Sequence, residues 1–123
     1  MGYYSEVGLA LTQSGIDTLK SMLAVQDEQT KLDIQTLLHH ADRHEIDINT
    51  GAEVWYWEQC RWNDESEDPE ILFMERLLKK LSFIEYCFIR LGFDFEDTDM
   101  RGYFWDNPFG MNVTRGIIFN KSR

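Results

Sequence analysis

Apolar residues recur at helical spacing in three stretches of the chain, and each stretch begins at a polar residue. The first begins at Ser14, and the second follows Asp27, a residue type favoured as an N-cap. The third has Asp68 as N-cap, Pro69 at the first helical position and Glu70 in the first turn. The apolar positions are Ile16, Leu19, Met22 and Leu23; Ile34, Leu37, Leu38 and Ala41; and Ile71, Met74, Leu77, Leu78 and Leu81. The pattern predicts three amphipathic helices.

Residue types typical of β-strands occupy five other stretches: 3–11, 45–49, 52–62, 82–91 and 113–119. In the second, Ile46 and Ile48 alternate with polar residues and are expected on one sheet face. The third is predicted to be a central strand with one face covered by helices and the other partly open. Alternation places Val54, Tyr56, Cys60 and Trp62 on one of its faces and Trp55, Trp57 and Arg61 on the other.

The order of these elements predicts the fold class. Strands and helices do not alternate as in a doubly wound fold, so we expect an α+β fold. The expected architecture is a mostly antiparallel sheet of about five strands with three helices packed on it. The 123 residues suffice for one domain, which we place at 1–123.

Charge narrows the classes of partner. The chain carries 22 acidic and 12 basic residues, a formal net charge of −10, and such a chain repels nucleic acid unless its basic residues are segregated. Residues 64–99 hold 11 acids and 4 bases, whereas residues 100–123 hold 1 acid and 4 bases. We therefore expect no direct nucleic-acid binding and an acidic patch in the middle of the chain. Acidic loops also simply keep many proteins soluble.

Cysteine usage and hydropathy suggest the compartment. Cys60 and Cys87 lie in apolar or aromatic stretches, where a free thiol is usually a small buried hydrophobe. No secretory leader is recognised, and no apolar run approaches the ~18 residues of a membrane span. We expect a cytoplasmic protein with no disulfide and no membrane association.

Signatures of catalysis are weak. His40 and His44 would share a helix face at i, i+4 and suggest a metal site, but the glutamate of the H-E-x-x-H motif is missing. Histidines at a helix end also interact favourably with the helix dipole. Phosphate-binding glycine loops and the G-x-S-x-G elbow are absent from the sequence. We therefore predict neither an enzyme nor a cofactor, and keep a metal-dependent hydrolase using His40 and His44 as an alternative.

Aromatic and acidic residues suggest a protein-binding surface. An open sheet face bearing tryptophan would favour a protein partner, because tryptophan buries a large area with little loss of entropy. Closely spaced carboxylates attract a basic site and can imitate the phosphates of a duplex. The predicted contact residues are Asp64, Glu65, Glu67, Asp68, Asp94, Glu96, Asp97, Asp99, Trp55 and Trp57.

Four segments carry a resemblance: MGYYSEV at 1–7, GAEVWYW at 51–57, FIRLG at 88–92 and WDNPF at 105–109. Together they resemble a group of short phage and prophage proteins with no agreed activity. The resemblance implies a phage-type protein in a host cell, where such acidic proteins often inhibit nucleic-acid-handling or defence enzymes. We expect the chain to bind a host protein with a basic site. The second alternative is a homo-oligomeric accessory protein.

Overall fold

The computed structural model describes residues 4–62, 66–92, 97–113 and 117–119. These contain three α-helices, a short 3₁₀ helix and seven strands. The helices are α1 (Gln13–Ala24), α2 (Glu28–His39) and α3 (Pro69–Lys80), and the 3₁₀ helix is Phe83–Glu85. The strands are β1 (Ser5–Leu11), β2 (Arg43–Ile46), β3 (Glu53–Cys60), β4 (Tyr86–Leu91), β5 (Thr98–Arg101), β6 (Met111–Val113) and β7 (Ile117–Phe119).

The helices begin close to the predicted residues. Asp27 caps α2 by accepting a hydrogen bond from the Thr30 amide at 2.7 Å, as its residue type indicates. Pro69 opens α3 as predicted, but Asp68 makes no capping hydrogen bond with its side chain. Helix α1 is capped by Thr12 rather than Ser14, through a hydrogen bond from the Gly15 amide at 3.2 Å.

The main sheet has five strands in the order β2-β3-β1-β4-β5, and each neighbouring pair is antiparallel. Strands β6 and β7 form a separate antiparallel pair. The α+β class, the three helices and the antiparallel five-stranded sheet are therefore confirmed. Among the described helices, none combines the length and the apolar character that a membrane span requires.

The helices cover one face of the sheet. Leu9 of β1, Trp55 of β3 and Phe88 of β4 share a core with Phe73 and Leu77 of α3, and all five are buried. Helices α1 and α2 add Ile16, Leu19 and Ile34 to this core. The apolar stripes predicted from the sequence form this layer because each faces the sheet.

The β6–β7 pair packs on the opposite face. Ala10, Val54 and Ile89 of the sheet are buried with Met111 of β6 and Ile117 of β7. The close approach of β6 to β1 depends on Gly8 of β1, since a Cβ atom there would lie 2.7 Å from the Met111 sulfur. The strand predicted to have one partly open face is thus covered on both.

A β-bulge changes the predicted facing of β3. Ser5 pairs with Cys60 and Val7 with Trp57, so β3 contributes one more residue than β1 between these pairs. An inserted residue reverses the alternation of the residues beyond it. Cys60 and Trp62 consequently lie in the helix-side core with Trp57, and their predicted grouping with Val54 and Tyr56 is wrong.

Three further strand predictions are corrected. Strand β2 ends at Ile46, so Ile48 lies outside the sheet and the two isoleucines do not share a sheet face; they are 58% and 90% exposed. The stretch 82–91 begins with the 3₁₀ helix, so only Tyr86–Leu91 is a strand. The stretch 113–119 contains the end of β6 and all of β7 rather than one strand.

Glu75 connects α3 to the far edge of the sheet. Both of its carboxylate oxygens accept hydrogen bonds from the Arg101 guanidinium at 2.9 Å, and one also accepts the Trp62 indole N–H at 2.7 Å. The Arg101 guanidinium also lies 4.6 Å from the centre of the Phe88 ring. Burial alone would raise the pKa of Glu75, but the hydrogen bonds from Arg101 and Trp62 outweigh it, and the pKa is lowered.

Candidate functional site

The predicted acidic loops are only partly described by the structure. Asp64, Glu65, Asp94 and Glu96 lie outside the described residues. Glu67 is exposed, and Asp68 is half-buried immediately before α3. These six residues as partner contacts stay a prediction.

Asp97 and Asp99 each pair with an arginine of the same sheet. The Arg90 guanidinium donates to the Asp97 carboxylate at 2.7 Å and to the Ser5 hydroxyl at 3.0 Å. Arg90 is only 4% exposed, and a guanidinium buried to that degree requires a paired carboxylate. Arg101 donates to Asp99 at 3.1 Å. Both aspartates therefore offer a partner less uncompensated charge than the sequence suggests.

Trp55 and Trp57 do not form the predicted open aromatic face. Their exposed fractions are 4% and 3%, because both side chains point into the core beneath the helices. The Trp57 indole N–H donates to the Leu37 carbonyl at 3.0 Å, which fixes it against α2. The prediction that these two residues contact a partner is wrong, since little of either side chain reaches the surface.

The histidine arrangement differs from the one considered for a metal. His40 is the C-cap of α2, whereas His44 lies on β2, so the two do not share a helix face. His44 stacks on Trp55 with ring centres 5.1 Å apart, and its Nε2 is 3.2 Å from a Glu53 oxygen. The part of the chain that the structure describes contains no group of three or more His, Cys, Asp or Glu able to hold a metal. The helix-face pair behind the hydrolase alternative is therefore wrong.

Both thiols are buried away from any reactive setting. Desolvation raises the pKa of the Cys60 thiol to about 11 and that of Cys87 to about 12. A nucleophilic cysteine needs the opposite shift, because the thiolate is the reactive form. The expectation of free, buried cysteines is confirmed.

A different surface carries exposed aromatic side chains: the 3₁₀ helix and the nearby Tyr103. We define the aromatic patch as Phe83, Ile84 and Tyr103, which are 66%, 72% and 65% exposed. The rings of Phe83 and Tyr103 lie 5.4 Å apart. The Tyr103 amide donates to the Phe83 carbonyl at 2.7 Å, so the backbone holds the two residues together.

The backbone beneath the aromatic patch is fixed by local chemistry. Ser82 and Glu85 form a reciprocal capping box around the 3₁₀ helix, and the Ser14 hydroxyl donates to Glu85 at 2.6 Å. Before Tyr103, Gly102 has φ of 87°, and a Cβ there would lie 2.1 Å from the Tyr86 carbonyl oxygen. The hydrogen bonds around the 3₁₀ helix and the tight turn at Gly102 therefore hold the backbone of the aromatic patch in place.

A second surface feature lies where β2 and β3 meet β7. We define the acidic groove by its lining residues, which are Asp42, Arg43, Tyr56, Glu58, Ile117 and Phe119. Its volume is about 510 Å³. Asp42 is held by a hydrogen bond from the Glu58 amide at 2.7 Å, which brings the two acidic residues to one end of the groove.

Tyr56 is the lining residue whose hydroxyl the surrounding acidic residues influence. Its hydroxyl donates to the carboxylate of Glu6, which also accepts the Ile117 amide at 3.4 Å. Burial raises the pKa of Tyr56, and the negative charges of Glu6, Glu58 and Asp42 raise it further. Three carboxylates thus act on one hydroxyl.

Sequence reasoning missed both features for different reasons. The Ser82-x-x-Glu85 spacing is a capping-box signature and would have indicated a helical turn that exposes Phe83 and Ile84. The acidic groove has no local signal, because it joins residues from β7 to residues more than fifty positions earlier.

Comparison with family models, curated proteins and solved structures yields no match to this chain.

Proposed function

We propose that this protein is a non-enzymatic binding module for a protein partner with a basic surface. The observation that carries the proposal is the aromatic patch, in which Phe83, Ile84 and Tyr103 are each about two-thirds exposed on an ordered turn. Large apolar side chains that are mostly exposed to water contribute little to the stability of the chain alone. They become favourable when a partner covers them.

The charge of the chain supports a basic partner. At a net charge of −10, the protein attracts cationic surfaces over about a Debye length and repels anionic ones. Charge of this kind raises the association rate and selects among partners, whereas buried aromatic anchors supply most of the affinity. The net negative charge would therefore guide a basic partner to the protein, and the aromatic patch would supply most of the binding energy.

The resemblance to short phage and prophage proteins gives the proposal a more specific form. The partner would be a host enzyme that handles nucleic acid, because the binding cleft of such an enzyme is basic. The protein would then inhibit that enzyme by occupying or overlapping the cleft. It would act in the host cytoplasm.

The proposal can be tested by capture followed by quantitative binding. Purified protein is used to isolate bacterial proteins, the recovered candidate is expressed alone, and the Kd is measured at about 50 and 300 mM salt. We expect weaker binding at the higher salt. The double variant Phe83→Ser/Tyr103→Ser should weaken binding about tenfold or more, because it removes two exposed aromatic anchors.

A matched control uses exposed apolar residues away from the aromatic patch. Val25 and Leu32 are 80% and 56% exposed, near the turn between α1 and α2. The variant Val25→Ser/Leu32→Ser should bind as the wild type does. Equal affinity of the wild type and the patch variant would refute the proposal. A wild-type dimer that the patch variant converts to monomer would instead assign the patch to self-association.

A further inference from the structure

The acidic groove has more negative charge than its own arginine neutralises. Asp42 and Glu58 are exposed at its edge, and among the described residues neither forms an ion pair. Arg43, the cation in the lining, is already paired with Glu45. The groove therefore presents two uncompensated carboxylates to whatever enters it.

Aromatic and aliphatic side chains complete the lining of the groove beside these carboxylates. The rings of Tyr56 and Phe119 meet edge to face, with centres 5.8 Å apart, and Ile117 completes the lining. The Arg43 guanidinium lies 3.6 Å above the centre of the Phe119 ring. One wall of the groove thus already binds a guanidinium within the molecule, through the attraction of a cation to an aromatic face.

A third carboxylate lies next to the groove. Glu6 accepts a hydrogen bond from the Tyr56 hydroxyl, so its negative charge is held at the hydroxyl end of that side chain. Glu6, Glu58 and Asp42 all act electrostatically on that hydroxyl. A cationic group near Tyr56 would experience the sum of these charges in a partly desolvated site, where each is screened less than in bulk water.

We infer that the acidic groove receives an arginine side chain of the protein partner. Asp42 and Glu58 would accept hydrogen bonds from the guanidinium, while its aliphatic stem would lie against Tyr56 and Ile117. Arginine suits this lining because its planar fork pairs with carboxylates and stacks on aromatic rings. The volume of about 510 Å³ is within the range of roughly 300–1,000 Å³ typical of ligand pockets. The inference rests on the proposed function, to which it adds a second contact.

The groove can be tested on the isolated protein with a small probe. N-acetyl-arginine amide is titrated while backbone amide shifts are followed by NMR. We expect saturable shifts at the amides of Asp42, Tyr56, Glu58 and Phe119. N-acetyl-citrulline amide, which has the same shape without the charge, should cause none. The variant Asp42→Asn/Glu58→Gln should weaken arginine binding at least about fivefold.

A control variant separates the groove from the general charge of the protein. Asp17→Asn/Glu28→Gln makes the same change in charge at exposed helical residues, across the sheet from the β6–β7 pair. It should leave arginine binding unchanged. Equal weakening by both double variants, or equal binding of N-acetyl-lysine amide, would overturn the inference.

The two proposals fail in distinguishable ways. If the groove variant leaves both probe binding and partner binding unchanged while the aromatic-patch variant abolishes partner binding, the groove inference falls and the proposed function stands. If no protein partner depends on the aromatic patch, the proposed function falls, and saturable binding of the arginine probe shows only that the groove accepts a guanidinium. Loss of both probe and partner binding in the groove variant, with its fold intact by circular dichroism, supports the inference.

Discussion

Replacing Glu75 with alanine should destabilise the protein by about 2–3 kcal/mol. The larger contribution comes from Trp62, which is 1% exposed and would lose the acceptor of its indole N–H. Leaving a buried donor without a partner costs about 1–3 kcal/mol. The ion pair with Arg101 adds about 0.2–1 kcal/mol, because both side chains are about 30% exposed and solvent screens their attraction.

Glutamine at the same position separates the hydrogen bonds from the charge. Glu75→Gln keeps an oxygen for the Trp62 indole, so we expect a loss of about 1 kcal/mol or less. Arg76→Ala, a change at an exposed residue of the same helix, is the control and should fall within about 0.5 kcal/mol of the wild type. Urea unfolding followed by tryptophan fluorescence gives the free energy of unfolding for each variant.

The pH dependence provides an independent check. The pKa of Glu75 is lowered in the folded protein from its usual value of 4.5, so the ionised carboxylate favours folding above that pH. This stabilisation is lost as the pH falls through the lowered pKa of the folded state. The difference in the free energy of unfolding between wild type and Glu75→Gln should therefore be smaller at acidic pH. The reasoning would be refuted if Glu75→Ala cost less than about 0.5 kcal/mol, or if the difference were the same at about pH 3 and pH 7.

Further substitutions test the packing and the helix caps. Gly8→Ala places a methyl group 2.7 Å from the Met111 sulfur and should lower the free energy of unfolding in urea by about 1–3 kcal/mol. In the double variant with Met111→Ala, part of that loss should be recovered. Strictly additive losses of the two single variants would contradict the close contact. Asp27→Ala should lower the urea midpoint more than Asp68→Ala, because only Asp27 caps its helix through a side-chain hydrogen bond; equal midpoints would contradict this assignment.

Local chemistry made the helices predictable. Asp27 and Pro69 act within a few residues of their own positions, so the starts of α2 and α3 are visible in the sequence. Edge strands were harder, because their side chains need not be apolar. Strand β5 lies next to an acidic run, and the alternation of Ile46 and Ile48 predicted one shared sheet face although β2 ends at Ile46.

Distant contacts account for the errors at the candidate site. The bulge opposite Ser5 and Val7 depends on how β1 and β3 pair, so the local sequence around Cys60 and Trp62 does not predict it. Whether a tryptophan faces solvent depends on what covers the sheet, so the sequence around Trp55 and Trp57 does not show that both are buried. The acidic groove exists only because the β6–β7 pair returns to the sheet beside Tyr56 and Asp42.

The central position of β1 determines when the sheet can form during synthesis. Strand β1 precedes the other four strands of the sheet in the chain yet lies in the middle of it, and Arg90 contacts Ser5 across 85 residues of sequence. Leu11 pairs with Glu53 of β3 on one side and with Tyr86 of β4 on the other. Contacts between such distant residues close large loops and slow folding. During synthesis β1 can pair with β3 first, and its other edge stays unpaired until β4 has been made, which leaves an exposed apolar strand edge open to aggregation for that period.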